Sequence, residues 1–230
     1  MLNRLLPNDI TILAWSPVND TFDARFSCVS RTYHYFFSTR NLDIPAMTAA
    51  AALYVGTNDF RHFCKLDPSK VHLPTFFTRT VHACTIAPIG ESMAMMDITG
   101  RAFLWHQVRM LMAVLFLIGR GDEPQQLITE LFSHPELGRP QYDMAPEHPL
   151  TLAKTTYDES QLNWQRTSIG TRLHELETSA QIRYLLVAEQ SSLANDIVLP
   201  STRRHLSVLK RPRADSVDVV LAKSKLKTRN

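Results

Sequence analysis

The stretch from Asp97 to Gly119, DITGRAFLWHQVRMLMAVLFLIG, constrains the fold more than any other part of the chain. It is the longest near-apolar run, and yet it carries His106, Gln107 and Arg109. Leu104, Val108, Leu111, Leu115 and Ile118 recur at spacings of three and four, which predicts a mostly buried helix over about 104–118, ended by Gly119. A guanidinium stays charged. Arg109 must therefore lie at the edge of that core, be paired with a carboxylate, or await an external anion such as a phosphate. At this point an arginine whose stem packs while its head pairs with an acid of its own chain is an equal reading.

The three polar residues leave only ten uninterrupted residues, Met110 to Gly119, too few to cross a bilayer. The amino end, MLNRLLPND, places a proline and an acid within nine residues and lacks the apolar core of a signal peptide. Cys28, Cys64 and Cys84 are widely spaced with no C-x-x-C pattern, which suits a reducing compartment; the expected setting is the nucleus, the cytoplasm or both. A length of 230 residues at 44% hydrophobic content allows one substantial core or two modest ones. The net charge of +3 permits nucleic-acid binding without indicating it. Its distribution is uneven: nine Lys and Arg residues lie between Arg203 and Arg229, against Asp215 and Asp218. Such a tail reads first as solvated, and secondly as a source of nonspecific phosphate attraction.

Hydrophobic patterning gives the order of elements. A strand is expected within Ile10–Trp15, and an aromatic strand in the second half of 22–37, where Thr32, His34 and Phe36 alternate with Tyr33, Tyr35 and Phe37. Arg25 and Arg31 flank the latter and bring basic and aromatic groups together as a nucleic-acid surface requires, although core aromatics beside solvated arginines fit equally well. A short helix follows over 45–54, then a loop from Gly56 to Phe63 holding Asp59, Arg61 and His62. Runs 79–87 and 91–98 read as an antiparallel hairpin around Pro88-Ile-Gly90. Beyond the central helix come a short amphipathic helix over 125–132, a proline-rich loop or lid over 134–149, a last strand over 150–157, and a long helix from Trp164 to Leu186. The expected fold is α+β, an antiparallel sheet with helices packed on one face.

Familiar chemical motifs are missing from the sequence: no His-Glu-x-x-His, no Gly-x-Ser-x-Gly, no kinase set, no dinucleotide fingerprint and no phosphate loop. His62 and His72 are far apart, and each reads as a structural or loop histidine rather than a metal ligand.

Four segments, in order and spacing, resemble the TruA-type tRNA pseudouridine synthases: FDARFSCVSRTYHY from Phe22, GTNDFRHF from Gly56, RAFLWHQVRMLMAVLFLIG from Arg101, and PLTL from Pro149. Phe103–Arg109 together with Pro140–Leu150 is most similar to the eukaryotic branch that modifies positions 38 and 39 of the tRNA anticodon arm. The resemblance covers roughly residues 8–160. It implies the carboxy-terminal half of a pseudouridine synthase fold and a metal-independent isomerisation, without cofactor, in which the uracil base of uridine is released by breaking its nitrogen–sugar bond, turned, and rejoined to the same sugar through a ring carbon. A flipped nucleotide costs a few kcal/mol to extrude, so a basic surface and a stacking aromatic are needed to hold it. By resemblance Tyr33 stacks near the target base, Arg109 approaches the catalytic aspartate or an RNA phosphate, and Leu150 forms an apolar wall. Arg25 and Arg31 supply basic surface. The implied partner is tRNA, with no membrane and with a homodimer left open.

The family's catalytic aspartate belongs to a Gly-Arg-Thr-Asp loop, and that loop is not in this sequence. Asp20 and Asp23 do not follow Arg-Thr, and Asp23 falls inside the Phe-x-Ala-Arg-Phe motif, so neither is assigned as nucleophile. The expectation is a truncated catalytic domain over 1–160, a helical extension over 161–190 and a basic tail over 191–230, with the family's function but no activity in this chain alone. The alternative is a family-derived RNA-binding protein without catalysis.

Overall fold

A computed structural model describes residues 2–7, 10–66, 74–167, Lys210, Arg213, Ser216 and Val219. Its centre is a five-stranded antiparallel sheet in the order β3-β4-β5-β2-β6, formed by β2 (Ser30–Ser38), β3 (Gly56–Asp59), β4 (Thr78–Ile89), β5 (Met93–Gly100) and β6 (Leu150–Thr156). Helices α1 (Ile44–Ala52), α2 (Gln107–Gly119) and α3 (Gln126–Ser133) complete the body. A two-stranded ribbon pairs β1 (Ala14–Trp15) with β7 (Gln165–Arg166).

Strand alternation decides which sheet face is covered. On β5, Ala94, Met96, Ile98 and Gly100 are buried while their neighbours are half-buried. Tyr35 and Phe37 of β2 share that face and meet Phe116 of α2 edge to face, with centroids 6.2 and 5.7 Å away. The opposite face carries half-exposed polar pairs, the Thr32 and Thr99 hydroxyls 2.8 Å apart and His34 Nε2 3.0 Å from Asp97 Oδ2. The α+β architecture, with helices on one face, is the one expected.

Asp43 starts α1 by accepting a hydrogen bond from Ala46 N at 2.9 Å, with Pro45 in the first turn. The buried face of α1 is Met47, Ala50 and Ala51, small enough at two positions for close approach to α2. Gly119, expected to end α2, is its last helical residue and serves packing: a Cβ there would stand 2.4 Å from Met47 Sδ. Termination comes two residues later. Gly121 adopts φ +73° and donates to Ile118 O at 2.9 Å, while Asp122 N donates to Leu117 O at 2.9 Å, the paired bonds of a Schellman cap.

Two sequence readings are corrected. The segment Gly56–Asp59 is not a loop but the edge strand β3, paired with Thr78–Val81. Its polar sequence hid it: an edge strand needs only backbone groups and one neighbour. The helix expected from Trp164 does not begin there, because Gln165–Arg166 is extended and paired with β1. The remainder of that expected helix, His72 and most of the basic tail lie outside the described residues. Arg213 is described and engaged, its Nη1 donating to Gly138 O at 2.8 Å and its backbone bridging Pro140.

Candidate functional site

β2 presents Arg31, Tyr33 and Tyr35 in succession on the helix-covered face. The guanidinium of Arg31 donates to Arg101 O at 3.0 Å and to the carbonyl of Arg25. It therefore ties the FDARFS turn to the segment that leads into α2. That turn is built by Asp23, whose Oδ1 accepts from the backbone N–H groups of Arg25 and Phe26 at 2.7 and 2.9 Å. Asp23 is thereby occupied as a turn former. The side chain of Arg25 lies over the exposed Phe26 ring, 5.6 Å from its centroid.

Tyr33 meets Phe103 edge to face, with centroids 5.3 Å apart. The chain then passes through Leu104 and Trp105 to His106, which adopts φ +60° immediately before α2. A left-handed backbone at a residue bearing a Cβ is uncommon and costs energy. Here it turns the chain sharply into the helix. Gln107, almost fully buried, accepts from Leu104 N through Oε1 at 2.7 Å and fixes this corner.

Arg109 lies in the first turn of α2, with its side chain 13% exposed. Nε donates to Ala145 O at 2.8 Å, and Nη1 lies 3.1 Å from Glu147 Oε2 and 3.3 Å from His106 Nδ1. The paired-carboxylate reading thus holds for one arm, while Nη2 has no partner among the described residues. The approach of His106 to a guanidinium requires an unprotonated Nδ1, and His106 is indeed held below its ordinary value, by partial desolvation first and then by Arg109 and Lys65.

The segment 145–150 carries Arg109's partners to the sheet. Tyr35 donates to Pro146 O at 2.9 Å, Leu150 N donates to Glu147 O at 3.0 Å, and Leu150 faces Tyr35 across the β2–β6 ladder. Burial, partly offset by Arg109, drives the Tyr35 phenol far above its usual value, so it remains a hydrogen-bond donor. Two linked sets of contacts result: the 145–150 segment joins Arg109 to Leu150 and Tyr35, while Arg31 and Tyr33 hold the Arg101–Phe103 approach to α2, with Arg25 joined to Arg31 through its carbonyl.

Sequence reasoning missed the second polar network, which anchors the proline-rich segment. Arg61 makes a two-pronged contact with Asp59, through Nε at 3.0 Å and Nη2 at 2.7 Å, and also donates to Pro135 O at 3.1 Å. His62 Nε2 donates to His134 O at 2.9 Å, and Tyr142 donates to His62 O at 2.7 Å. The signal was present as polar residues inside GTNDFRHF, but the carbonyls of Pro135 and His134 that Arg61 and His62 reach lie more than seventy residues away. Among the described residues no group of three or more His, Cys, Asp or Glu could hold a metal ion. No helix among them is long and apolar enough to cross a membrane.

The segments that build this region resemble TruA-type enzymes, and direct sequence comparison bears that resemblance out. The sequence model of the tRNA pseudouridine synthase family matches residues 50–158. The chain is 30% identical over 190 residues to "tRNA pseudouridine synthase A" of Methanosarcina mazei, covering 82% of this chain and 68% of that protein. It belongs to the tRNA pseudouridine synthase family. Eukaryotic members are more similar: the "tRNA pseudouridine(38/39) synthase" of Bos taurus is 46% identical over 166 residues, and that of Saccharomyces cerevisiae 45% over 175. These alignments cover 66% and 74% of this chain but 34% and 38% of the relatives, so the chain spans little more than a third of their length.

The nearest approach to Gly-Arg-Thr-Asp in the sequence is Gly119-Arg-Gly-Asp122. It closes α2 at the end away from Arg109, about 15 Å along the axis at 1.5 Å per residue. Asp122 is engaged there by Arg120 Nε at 2.8 Å, so it does not supply a carboxylate to the Arg109 corner.

Proposed function

We propose that this chain contributes the RNA-holding wall of a tRNA pseudouridine synthase that converts uridine to pseudouridine at positions 38 and 39 of the anticodon arm. One observation supports the reading: in a polypeptide 46% identical over 166 residues to a tRNA pseudouridine(38/39) synthase, the segment that binds Arg109 through Ala145 and Glu147 leads directly into Leu150 of β6, and Arg31 binds Arg101 O on the approach to α2. In this reading Tyr33 stacks near the extruded base and Leu150 bounds its apolar side. Arg109, steadied through Nε and Nη1, offers Nη2 to an RNA phosphate or to the family's catalytic carboxylate. Arg25 and Arg31 add positive charge along the approach.

The sequence contains no Gly-Arg-Thr-Asp, which favours a second reading for the chain by itself, binding of tRNA without turnover. We place its action in the nucleus, the cytoplasm or both, and a homodimer as its assembly is decided by sedimentation with and without tRNA. The direct test combines filter binding of anticodon-arm RNA with a pseudouridine-release assay on the 230-residue chain. Binding is expected to weaken as salt rises, and replacing Arg25, Arg31 or Arg109 by Ala to weaken it more than removing residues 191–230 does. No turnover is expected. Sensitivity to tail removal alone would reduce the interaction to nonspecific attraction, and turnover would overturn the non-catalytic reading of the isolated chain.

A further inference from the structure

Trp105 takes no part in the contacts that fix Arg109, and yet it is held in place while remaining 52% exposed between the buried Leu104 and Gln107. Lys65 N donates to Trp105 O at 3.0 Å, which sets the backbone. The Lys65 ammonium lies over the indole, 4.8 Å from the ring centroid, and the His106 imidazole packs at a tilt with centroids 4.9 Å apart. An indole usually buries most of its surface, so one that is steadied and left half uncovered presents an aromatic area to something else.

Its neighbours specify what that is. Lys65 is exposed and cationic, and His106 links the indole to Arg109 through the 3.3 Å approach of Nδ1 to Nη1. The corner's acid, Glu147, is already engaged by Arg109. Aromatic surface bordered by cations matches a nucleotide, which carries a flat base and an anionic phosphate on one short tether. We propose that Trp105 is a stacking platform for an unpaired RNA base adjacent to the nucleotide held at the Arg109 corner, with Lys65 leaving the indole face to meet that nucleotide's phosphate. A lysine suits the role of a removable cover, because its stem is flexible and a cation–π contact at an exposed site is weak. Stacking is indifferent to base identity, so the platform selects for a single strand rather than for a sequence. The proposal rests on the reading of this corner as an RNA site.

The sequence has three tryptophans, so Trp15→Phe with Trp164→Phe leaves Trp105 as the sole indole of the full chain. That variant is titrated with an anticodon-arm hairpin and with a blunt RNA duplex of equal length, following Trp105 emission and, separately, filter binding. The hairpin is expected to quench the emission and the duplex to leave it nearly unchanged. In the otherwise unaltered chain, Trp105→Ala should weaken hairpin binding by about 10-fold, with Trp105→Phe restoring it to within about 3-fold and duplex affinity moved by neither. Lys65→Ala should lower the salt slope of hairpin binding by about one. Hairpin binding without quenching and without loss in Trp105→Ala would overturn the platform and leave the RNA reading standing; absence of binding to either RNA would overturn both. Equal quenching by the duplex would overturn the preference for an unpaired base. A change in emission with protein concentration alone would assign the face to a second copy of the chain and overturn the proposal.

Discussion

Arg109 is the residue whose surroundings the sequence posed as a question, and its hydrogen bonds divide unequally. Glu147 is 68% exposed, so its ion pair with Arg109 is screened and contributes little to stability; Glu147→Gln should shift unfolding by roughly 0.5 kcal/mol or less. The bond from Nε to Ala145 O is of another kind, because Ala145 is buried and its carbonyl loses that donor when the guanidinium is removed. Arg109→Met, which keeps the stem, should therefore cost about 1–3 kcal/mol in urea unfolding, well beyond the Glu147 variant. Equal losses in the two variants would show that the carboxylate, not the carbonyl, holds the arginine. Periodicity placed Arg109 in a buried helix and limited it to three situations. It could not reach Ala145 O, since a backbone acceptor thirty-six residues away in an irregular segment has no side-chain signature. The family motifs drew attention to Tyr33 and Leu150 without fixing their roles, whereas the carbonyl-bridging role of Arg31 depends on the turn made by Asp23 and emerges only from the folded chain.

Among the elements, α2 was the most legible because it alternates at helical spacing over several turns, and the hairpin β4–β5 because apolar runs flank Pro88-Ile-Gly90. The edge strand β3 was illegible for the opposite reason: four residues, three of them polar, give periodicity nothing to act on. The junction of α1 with α2 was half legible. Gly119 looked like a helix stop by residue type, but its function is to admit Met47, which has no exposed surface. Helix propensity alone predicts that Gly119→Ala stabilises the chain by up to about 1 kcal/mol. Contact predicts the reverse, since the new methyl would meet Met47 Sδ at 2.4 Å, Met47 Cγ at 2.8 Å and Leu42 Cδ2 at 3.2 Å. Met47 is too enclosed to swing away freely, so contact should win by about 1–3 kcal/mol. Adding Met47→Ala to Gly119→Ala should recover part of that loss, an interaction visible in a double-mutant cycle of thermal unfolding. A neutral or stabilising single variant would mean that the two helices are less closely packed than these distances require.

At the scale of the molecule, the proline-rich segment 134–149 is held to the body by Arg61, His62 and Tyr142, so the corner around Arg109 depends on an anchor built elsewhere. His62 makes that anchor sensitive to pH. It is 1% exposed, its Nε2 serves His134 O, and its Nδ1 has no partner among the described residues. Burial holds its imidazole below the ordinary value of 6.5; the bond to His134 opposes that shift, Arg213 and Arg61 reinforce it, and Asp59 counters it. Between the lowered folded value and the unfolded value of about 6.5, the unfolded chain binds the extra proton, so stability is full above that pH and declines as pH falls below it. Urea midpoints should accordingly drop from pH 7.5 to pH 5.5. His62→Gln, which can still donate to the His134 carbonyl, should flatten that dependence, whereas His106→Gln should flatten it far less, because His106 is partly exposed and its lowered value is screened by solvent. If the slope persists unchanged in His62→Gln, the acid sensitivity resides in other groups and the anchor is not its source. If it vanishes, tRNA binding measured across the same interval should weaken together with the anchor, linking a buried histidine to the corner where Arg109 is held.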